Sequence, residues 1–391
     1  MAILALNIGS SSLKFGLFDE CPGDAPPCLV LQGQLAGTNG SHPHFRARHI
    51  DGKEIDEDWA GGDPDARTGR LLDWLENGPG GRTLAAVGHR VVHGGRMFRD
   101  PVRVDGGVIQ KLETLIPLAP LHQPASLAPM RHIARLRPDL PQVACFDTAF
   151  HHDLAPPVSR YPLPRALEEE GVRRYGFHGL SYEAIADRLA AMDDGAADER
   201  VIVAHLGNGA SLCAMRHLHS VDTTMGFTAL DGLMMGTRPG TLDPGILLYL
   251  QQAKGYDVGR LEHMLYHECG LLGVSGSSAD VAALLASDRP EAREALDLFA
   301  FRVARETAAM AATLGGIDRF VFTGGIGEHG GPVRAMIGAR LGWLGAEIDA
   351  QANAAGAGTI STARGRLRVQ VLATDEEGII ARHTARLLRR S

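Results

Sequence analysis

The 391-residue sequence has few cysteines, and they are not arranged as a disulfide framework or a structural zinc site. There are five, an odd number, and no two of them form a C-x-x-C pair. Disulfide scaffolds and zinc sites use several cysteines at short, regular spacings. We therefore expect reduced thiols, as in a protein of the cytosol.

Long apolar runs and a positive net charge are also missing. No run approaches the ~18 apolar residues of a membrane span. Residues 1–6 have neither the basic start nor the cleavage site of a signal peptide. We interpret them as a strand. The net charge is −7, so no general positive field attracts nucleic acid or anionic lipid. We expect a cytoplasmic protein without nucleic-acid or membrane partners, in which local cations bind any anionic substrate.

The composition is that of a globular chain with more than one domain. Hydrophobic residues make up 45% of the sequence and charged residues 22%, which suffices for a large core. At roughly 150 residues per domain, this length predicts two or three domains. The proline-rich segment 156–164 predicts an irregular connection. We place a domain boundary near it.

Two segments half a chain apart share one order of features. Ala2–Ile8 and Leu13–Phe18 are apolar runs joined by a Gly-Ser turn, which predicts a β-hairpin. Val201–Met215 repeats this order, with Gly-Asn-Gly-Ala-Ser between its apolar runs. The repetition indicates a duplicated α/β domain with a cleft between the two halves.

Further strands and helices follow from periodicity and capping residues. The stretch 21–82 predicts short strands and polar loops. The sequence predicts strands at 84–92, 143–146, 319–322 and 365–373. It predicts helices at 181–192 with Ser181 as N-cap, from Asp243-Pro244 to Gln251, over 293–314, and after a capping box at Thr374–Glu377.

Two glycine-rich turns are candidates for phosphate contacts. Turns of Gly, Ser and Asn expose backbone N–H groups, which bind phosphate. Gly9–Ser12 is one such turn, with Lys14 close behind it, although an ordinary hairpin turn has the same composition. Gly325, Gly327 and Gly330 fit a dinucleotide G-x-G-x-x-G pattern. Because Gly331-Pro332 interrupts the expected helix start, an adenine-nucleotide turn is the better interpretation.

Charged and imidazole groups stand at the ends of several strands and loops. Arg90 ends an apolar strand, and Arg238 and His178 lie in glycine-flanked loops. Asp147 follows a strand, and Glu376 lies in the first turn of the last helix. Each alone is compatible with a structural ion pair or a core histidine. Together they predict one site in a cleft.

Taken together, these motifs resemble the acetate kinase family, within the acetate and sugar kinase, chaperone and actin superfamily. The resemblance runs from one end of the chain to the other in family order. Its stretches are Asn7–Lys14, Gly88–Gly95, Phe146–His151, Tyr175–Gly179, His205–Ser211, Val221–Thr228, Met234–Arg238, Phe322–Glu328 and Thr374–Glu377.

The resemblance implies an α/β fold of two duplicated ribonuclease-H-like, actin-like ATPase domains with a central cleft. Residues 1–150, completed by the C-terminal helix 375–391, would bind the acid and contribute to the Mg²⁺ site. Residues 151–374 would bind the nucleotide. The implied reaction is reversible, direct in-line transfer of the ATP γ-phosphate to acetate, giving acetyl phosphate and ADP. Mg²⁺, or Mn²⁺ in its place, would be the cofactor, and a homodimer the assembly.

The resemblance also implies individual roles. Asp147, His178 and Arg238 would be catalytic, and Asn7 and Glu376 would hold the metal. The acid would be bound by Arg90 and by an apolar pocket of Val92, Leu121, Phe177 and Ala229. ATP would be bound by Ser10, Ser12, Lys14, His205, Leu206, Gly207, Asn208, Gly209, Asp280, Gly325, Ile326, Gly327, Glu328 and His329.

The sequence departs from the family pattern at several positions. Ala229 stands where proline is usual, which would enlarge the acyl pocket and leaves propionate kinase as an alternative. Leu121-His-Gln-Pro-Ala replaces a His-Asn-Pro-Pro run. Ala282 and Ala283 replace an Arg-Asp pair near the adenine site, and His329 replaces Asn. More distant alternatives are an actin-like or chaperone ATPase and an NAD-dependent oxidoreductase.

Overall fold

The computed structural model describes residues 2–9, 12–21, 23, 25–37, 43–59, 63–78, 81–193, 195–356 and 358–389. They form two compact units, residues 1–152 with 375–391, and residues 153–374. In the part of the chain that the structure describes, no helix combines the length and apolar character that a membrane span requires.

The first unit is built on an eight-stranded sheet in the order β5-β4-β3-β2-β1-β6-β8-β7. Among the described residues, four α-helices accompany the sheet. In chain order the elements are β1 (Ala2–Ile8), β2 (Ser12–Asp19), β3 (Cys28–Ala36), β4 (His44–His49), β5 (Glu54–Asp58), α1 (Pro64–Asn77), β6 (Leu84–Val91), β7 (Val102–Arg103), α2 (Gly106–Glu113), α3 (Gln123–Leu136), β8 (Gln142–Phe146) and, at the end of the chain, α14 (Glu376–Arg389).

The core of the first unit lies between the sheet and the helices. Leu4 and Leu6 of β1 share a buried cluster with Leu72 of α1 and Ile133 of α3. The C-terminal helix α14 packs against β1, β6 and β8. Through this packing the last residues of the chain complete the first unit, and the start of α14 lies near the end of β1.

The second unit has a six-stranded sheet in the order β11-β10-β9-β12-β14-β13. A 25-residue helix, α10, packs against β10 and the neighbouring helices. The elements are α4 (Arg165–Glu169), α5 (Gly179–Met192), β9 (Val201–Leu206), β10 (Ala210–Arg216), β11 (His219–Thr223), α6 (Pro244–Lys254), α7 (Val258–His267), α8 (Gly270–Ser275), α9 (Val281–Leu285), α10 (Pro290–Leu314), β12 (Arg319–Thr323), α11 (Gly324–His329), α12 (Gly331–Arg340), α13 (Ala350–Ala355), β13 (Gly358–Thr359) and β14 (Arg368–Val371).

The two sheets share one topology, which confirms the predicted duplication. In the first unit, β1 pairs antiparallel with β2 and parallel with β6, and β6 pairs parallel with β8. In the second unit, β9 pairs antiparallel with β10 and parallel with β12, and β12 pairs parallel with β14. Each unit therefore has the hairpin and parallel strands of an actin-like ATPase fold.

Two predicted helix caps are wrong. The helix expected to begin at Ser181 begins at Gly179, with His178 as its N-cap, because the Ser181 hydroxyl bonds His205 Nδ1 at 2.8 Å instead of a backbone N–H. The capping box at Thr374 does not form. Asp375 accepts from the Gly378 N–H at 2.9 Å, and Thr374 Oγ1 is buried without a hydrogen-bond partner among the described residues.

Two further expectations for the first unit need correction. The stretch predicted as strands and loops contains β3, β4 and β5, but also α1, whose N-cap Asp63 accepts from Ala66 N–H at 2.8 Å. Cys21 and Cys28 form a disulfide, although reduced thiols were expected. Their Cα atoms are 6.3 Å apart, within the range that a bridge can span.

Candidate active site

In the first unit, a buried ion pair joins the ends of two parallel strands. Arg90 is in β6, and Asp147 directly follows β8. Arg90 Nη2 donates to Asp147 Oδ2 at 2.6 Å, and Nε donates to the same oxygen at 3.0 Å. The Asp147 side chain is 1% exposed and that of Arg90 15%. This two-pronged contact fixes the plane of the guanidinium group.

Asn7, at the end of β1, connects this ion pair to the start of α14. Its amide oxygen accepts from Arg90 Nη1 at 3.1 Å. Its amide nitrogen donates to Glu376 Oε2 at 2.7 Å and to Glu377 Oε1 at 2.9 Å. Four of the sequence-predicted groups, namely Asn7, Arg90, Asp147 and Glu376, therefore meet in the first unit.

The charges of this cluster are interdependent. Burial alone would lower the pKa of Arg90, but the carboxylates of Asp147, Glu376 and Glu377 outweigh it and raise the pKa above its ordinary value. Burial raises the pKa of Glu377, and the negative charge of Glu376 adds to that rise. Two carboxylates that repel each other thus face a single amide group.

This donor set fits a divalent cation. Mg²⁺ in proteins is commonly held by one or two carboxylates, with water and substrate phosphates supplying the other ligands. Glu376 and Glu377 supply two carboxylates and Asn7 an amide. Among the described residues no group of three or more His, Cys, Asp or Glu side chains is disposed to hold a metal. A cation here would need further ligands, such as water, besides these side chains.

The predicted acyl-pocket residues are divided between the two units. In the first unit, Val92 is 3% exposed and follows β6, whereas Leu121 is 40% exposed and lies before α3. The backbone beyond Val92 is held by Gln123, whose amide donates to the His93 carbonyl at 3.1 Å and accepts from the His93 N–H at 3.2 Å. Gln123 therefore fixes the backbone that follows β6.

The other two acyl-pocket residues belong to the second unit. Phe177 is 2% exposed and lies just before α5. Ala229 is half-buried, and its carbonyl accepts from Arg238 Nη1 at 2.7 Å.

Of the nucleotide residues predicted in the first hairpin, Ser12 and Lys14 lie among the described residues. Ser10 lies outside the described residues. Ser12 begins β2, and its carbonyl accepts from the Gly9 N–H at 2.8 Å. Lys14 is exposed in β2 and lines a cavity of about 540 Å³ with Gln32, Arg46 and other residues of the first unit.

In the second unit, a cavity of about 480 Å³ is lined by three separated segments. One is the Gly-Asn-Gly turn between β9 and β10, another the start of α9, and the third the region of α11. Six sequence-predicted nucleotide residues contribute to it: Gly207, Asn208, Asp280, Gly325, Ile326 and His329. The remaining lining residues are Ala279, Val281, Ala282, Leu285 and Gly330.

Several of the predicted nucleotide residues also have structural contacts. Leu206 is fully buried in β9. The Glu328 carboxylate accepts from the Gly324 N–H at 3.0 Å and from the Thr374 N–H at 3.3 Å, so it fixes the end of β12. The Gly327 carbonyl accepts from Arg334 Nη1 at 2.9 Å. Asp280 lines the cavity while its carboxylate caps α9.

Arg238 and His178 meet beside Gly209, the last residue of the Gly-Asn-Gly turn. A Cβ atom at Gly209 would lie 2.9 Å from Arg238 Nη2 and 3.2 Å from His178 Nε2. A side chain at Gly209 would therefore displace the Arg238 guanidinium group from its position. Two predicted catalytic groups of the second unit therefore flank the turn that lines the glycine-rich cavity.

Arg238 is a half-buried cation, and among the described residues no carboxylate forms an ion pair with it. Burial lowers its pKa from 12.5 to about 10, a change that the tyrosine Tyr266 opposes. The guanidinium group is therefore charged at neutral pH but poorly stabilised. Arg90 differs, because its charge is already matched by Asp147.

His178 has an unusual backbone conformation and a stacked ring. Its φ of 58° lies in the left-handed region, which costs a non-glycine residue about 1 kcal/mol or more. Its ring stacks on that of His205, with centroids 4.2 Å apart. Its Nδ1 bonds Ser211 Oγ at 2.8 Å, which directs Nε2 toward Gly209.

Sequence reasoning missed several residues that surround these groups. Glu377 was interpreted as half of a capping box, although its acidity beside Glu376 was the available signal. Ser181 was interpreted as a cap, and Tyr182 and Ser211 had no assigned role. The apolar residues that line the cavity carry no chemical signal in a single sequence.

Comparison with known proteins places the chain in a family. The model of the acetokinase family matches residues 2–382. The chain is 50% identical over 390 residues to an acetate kinase of Rhodopseudomonas palustris, covering 98% of each chain. It is 48% identical over 391 residues to an acetate kinase of Rhizobium meliloti, covering 99% of this chain and 98% of the relative.

Solved structures agree with the sequence comparison. A propionate kinase from Francisella tularensis has a TM-score of 0.89 and 35% identity, with 98% of each chain covered. An acetate kinase from Porphyromonas gingivalis has a TM-score of 0.85 and 34% identity, with 99% of each covered. Because the family model spans nearly the whole sequence and relatives this similar match it end to end, the chain belongs to the acetokinase family.

Proposed function

We propose that this protein is an acetate kinase that transfers the γ-phosphate of ATP to acetate, reversibly and without a phosphorylated enzyme intermediate. The observation that carries the proposal is the position of Arg238 and His178 beside the Gly-Asn-Gly turn. A half-buried cation that forms no ion pair with a carboxylate among the described residues favours an anion, and a glycine turn with exposed N–H groups suits phosphate.

The acceptor needs no general base. A carboxylic acid of ordinary pKa, about 4, is ionised at neutral pH and is already a nucleophile. The obstacle is repulsion between this anion and the negatively charged γ-phosphate. Phosphoryl transfer is catalysed chiefly by positioning and by stabilisation of charge. Arginine suits this task, since its planar fork matches carboxylate and phosphate oxygens.

Arg90 binds the acid, and Asp147 holds Arg90 in place. Arg90 donates to Asp147 through Nε and Nη2 and to Asn7 through Nη1. These contacts hold the guanidinium group in one orientation before the substrate arrives. Asp147 is a positioning group for Arg90 and does not deprotonate the substrate. Arg238 and His178 neutralise the phosphoryl group in transit. The proposal therefore requires both units to take part in one catalytic cycle.

The nucleotide belongs to the glycine-lined cavity of the second unit. Gly207, Asn208, Gly325 and Ile326 offer backbone surface there, and Ala282 leaves space where the family usually has a larger residue. Asn7, Glu376 and Glu377 would hold Mg²⁺. When bound, Mg²⁺ would neutralise part of the charge on the phosphates. We propose a cytoplasmic location, where ATP is supplied.

Propionate is a second candidate substrate, favoured by one residue. Ala229 has no ring or branched side chain at the predicted acyl pocket, and its carbonyl is held by Arg238. An added methylene in an apolar pocket changes binding by about 1–3 kcal/mol. The residue at this position can therefore shift the preference between two- and three-carbon acids.

We further propose a homodimer whose second copy covers α6. All eleven residues of α6 are described, and none of them is buried, although its sequence is largely apolar. Leu248 is 55% exposed and Tyr249 54%. Exposed apolar patches of this kind mark interaction surfaces. Leu248→Glu should shift the sedimentation of the protein toward the monomer, whereas Leu136→Glu, at a 48% exposed residue of α3, should not.

A hydroxylamine assay for acyl phosphate tests the enzymatic proposal. The purified protein should form acetyl hydroxamate in the presence of ATP, Mg²⁺ and acetate, and the rate should fall when any one is omitted. Butyrate should be the poorest of acetate, propionate and butyrate. ATP consumption without acyl phosphate formation would contradict the proposal.

A further inference from the structure

Two histidines beside the glycine turn are held by serines in a reciprocal arrangement. His178, just before α5, bonds Ser211 of β10, and Ser181 of α5 bonds His205 of β9, each through Nδ1 and each at 2.8 Å. A Cβ atom at Gly209 would lie 3.2 Å from His178 Nε2, and one at Gly207 would lie 3.9 Å from His205 Nε2. Both rings therefore present Nε2 to the turn.

A buried tyrosine extends the hydrogen bonds behind His178. Tyr182 is fully buried, and its hydroxyl is 2.5 Å from Ser211 Oγ. The phenol O–H is assigned as the donor of this bond, because the phenol keeps its proton and Ser211 Oγ lies within hydrogen-bond distance as an acceptor. Burial raises the pKa of Tyr182 well above its ordinary value, so the phenol keeps its proton.

The direction of these bonds decides which ring nitrogen of His178 carries the hydrogen. With Ser211 Oγ accepting from Tyr182, its own O–H donates to His178 Nδ1. The hydrogen of the imidazole then resides on Nε2, the atom beside Gly209 and Arg238. In the opposite tautomer a lone pair on Nε2 would face the phosphoryl oxygens and repel them.

We propose that Tyr182 and Ser211 are positioning residues that keep His178 in the Nε2–H tautomer, so that it donates to the phosphoryl group during transfer. This inference rests on the proposed phosphoryl-transfer function. Neither residue touches the substrate. Both act through His178, whose strained backbone already restricts the position of the ring.

A double-mutant cycle tests this role. Tyr182→Phe, which removes one oxygen at constant shape, should lower kcat about 10-fold, and Ser211→Ala about 100-fold, with KM for ATP and acetate within about threefold. In a His178→Ala background, each change should alter kcat by less than about twofold, because there is no imidazole left to position.

Tyr175→Phe is the matched control. It also removes a tyrosine hydroxyl in the second unit, one that donates to the Gly171 carbonyl at 2.8 Å, and it should leave kcat within about twofold. Equal losses from Tyr182→Phe with and without His178 would overturn the inference, as would an unchanged kcat in the wild-type background. If Ser211→Ala does not fold, Tyr182→Phe alone decides. A wild-type protein that makes no acyl phosphate would instead refute the proposed function itself.

Discussion

Replacing Arg238 with methionine should remove most of the activity and leave the ligand-free protein at least as stable as the wild type. The two active-site arginines lie in contrasting environments, so the same substitution should affect them in opposite ways. Arg90 is paired with a buried carboxylate, whereas Arg238 donates to a backbone carbonyl and has no carboxylate ion pair among the described residues.

The expected magnitude follows from the pKa of Arg238. The pKa is lowered from 12.5 to about 10. This means that burying the charged guanidinium group lowers the free energy of unfolding by roughly 3 kcal/mol at neutral pH. Methionine removes this penalty, but it also removes the hydrogen bond to the Ala229 carbonyl, which contributes about 1.5–3 kcal/mol. The net change in the free energy of unfolding should lie between about 0 and 2 kcal/mol, in the stabilising direction.

Arg90→Met should instead destabilise the ligand-free protein. It would leave Asp147, 1% exposed, as a buried carboxylate without its cation. Removing one partner of such a pair destabilises a protein by about 3–5 kcal/mol.

Urea unfolding at pH 7.5 without nucleotide or metal, followed by circular dichroism, measures both effects. The hydroxamate assay should show that Arg238→Met lowers kcat by about 10²–10⁴-fold. An Arg238→Met protein that is destabilised by more than about 2 kcal/mol, or that keeps wild-type kcat, would refute the reasoning.

Three further predictions concern the acid, the acyl pocket and pH. Arg90→Ala should raise KM for acetate with little change in KM for ATP, and an unchanged KM for acetate would remove Arg90 from the acid site. Ala229→Pro should lower kcat/KM for propionate relative to acetate by about 10-fold, whereas a strict acetate preference in the wild type would exclude an enlarged pocket. Burial lowers the pKa of His89 and His93 from 6.5 to about 4. The unfolded chain thus binds more protons, and each histidine should reduce the free energy of unfolding by about 2 kcal/mol between pH 7 and pH 5. In urea titrations at the two pH values, His89→Gln should halve the decrease in the free energy of unfolding that the two histidines cause together. An unaltered decrease would contradict this prediction.

The sequence predicted the strands well because buried strands are short apolar runs with clear ends. β1 was predicted with the bounds that the structure has, and the strand predicted at 319–322 is one residue longer in the structure. Polar residues at strand ends, such as Arg90 and Asp147, were correctly singled out as a group. Their mutual hydrogen bonds could not be predicted, because they depend on the parallel pairing of β6 and β8.

Local rules failed where a distant partner competed for a side chain. Ser181 fits an N-cap, but its hydroxyl is used by His205 in another element. Glu377 fits a capping box, but its carboxylate accepts from Asn7, 370 positions away in the sequence. The start of α1 was overlooked although Asp63-Pro64 is a good helix start. Its short apolar stripe at Leu71, Leu72 and Leu75 was outweighed by the polar residues around it.

The stereochemistry of transfer tests the central claim most directly. ATP made chiral at the γ-phosphorus with ¹⁶O, ¹⁷O and ¹⁸O would be incubated with the protein, Mg²⁺ and acetate, and the configuration of the phosphoryl group would be determined after transfer. Direct attack by a carboxylate that is already ionised predicts inversion of configuration. Retention would require two successive transfers through a phosphorylated residue, and would contradict catalysis by positioning and charge stabilisation alone.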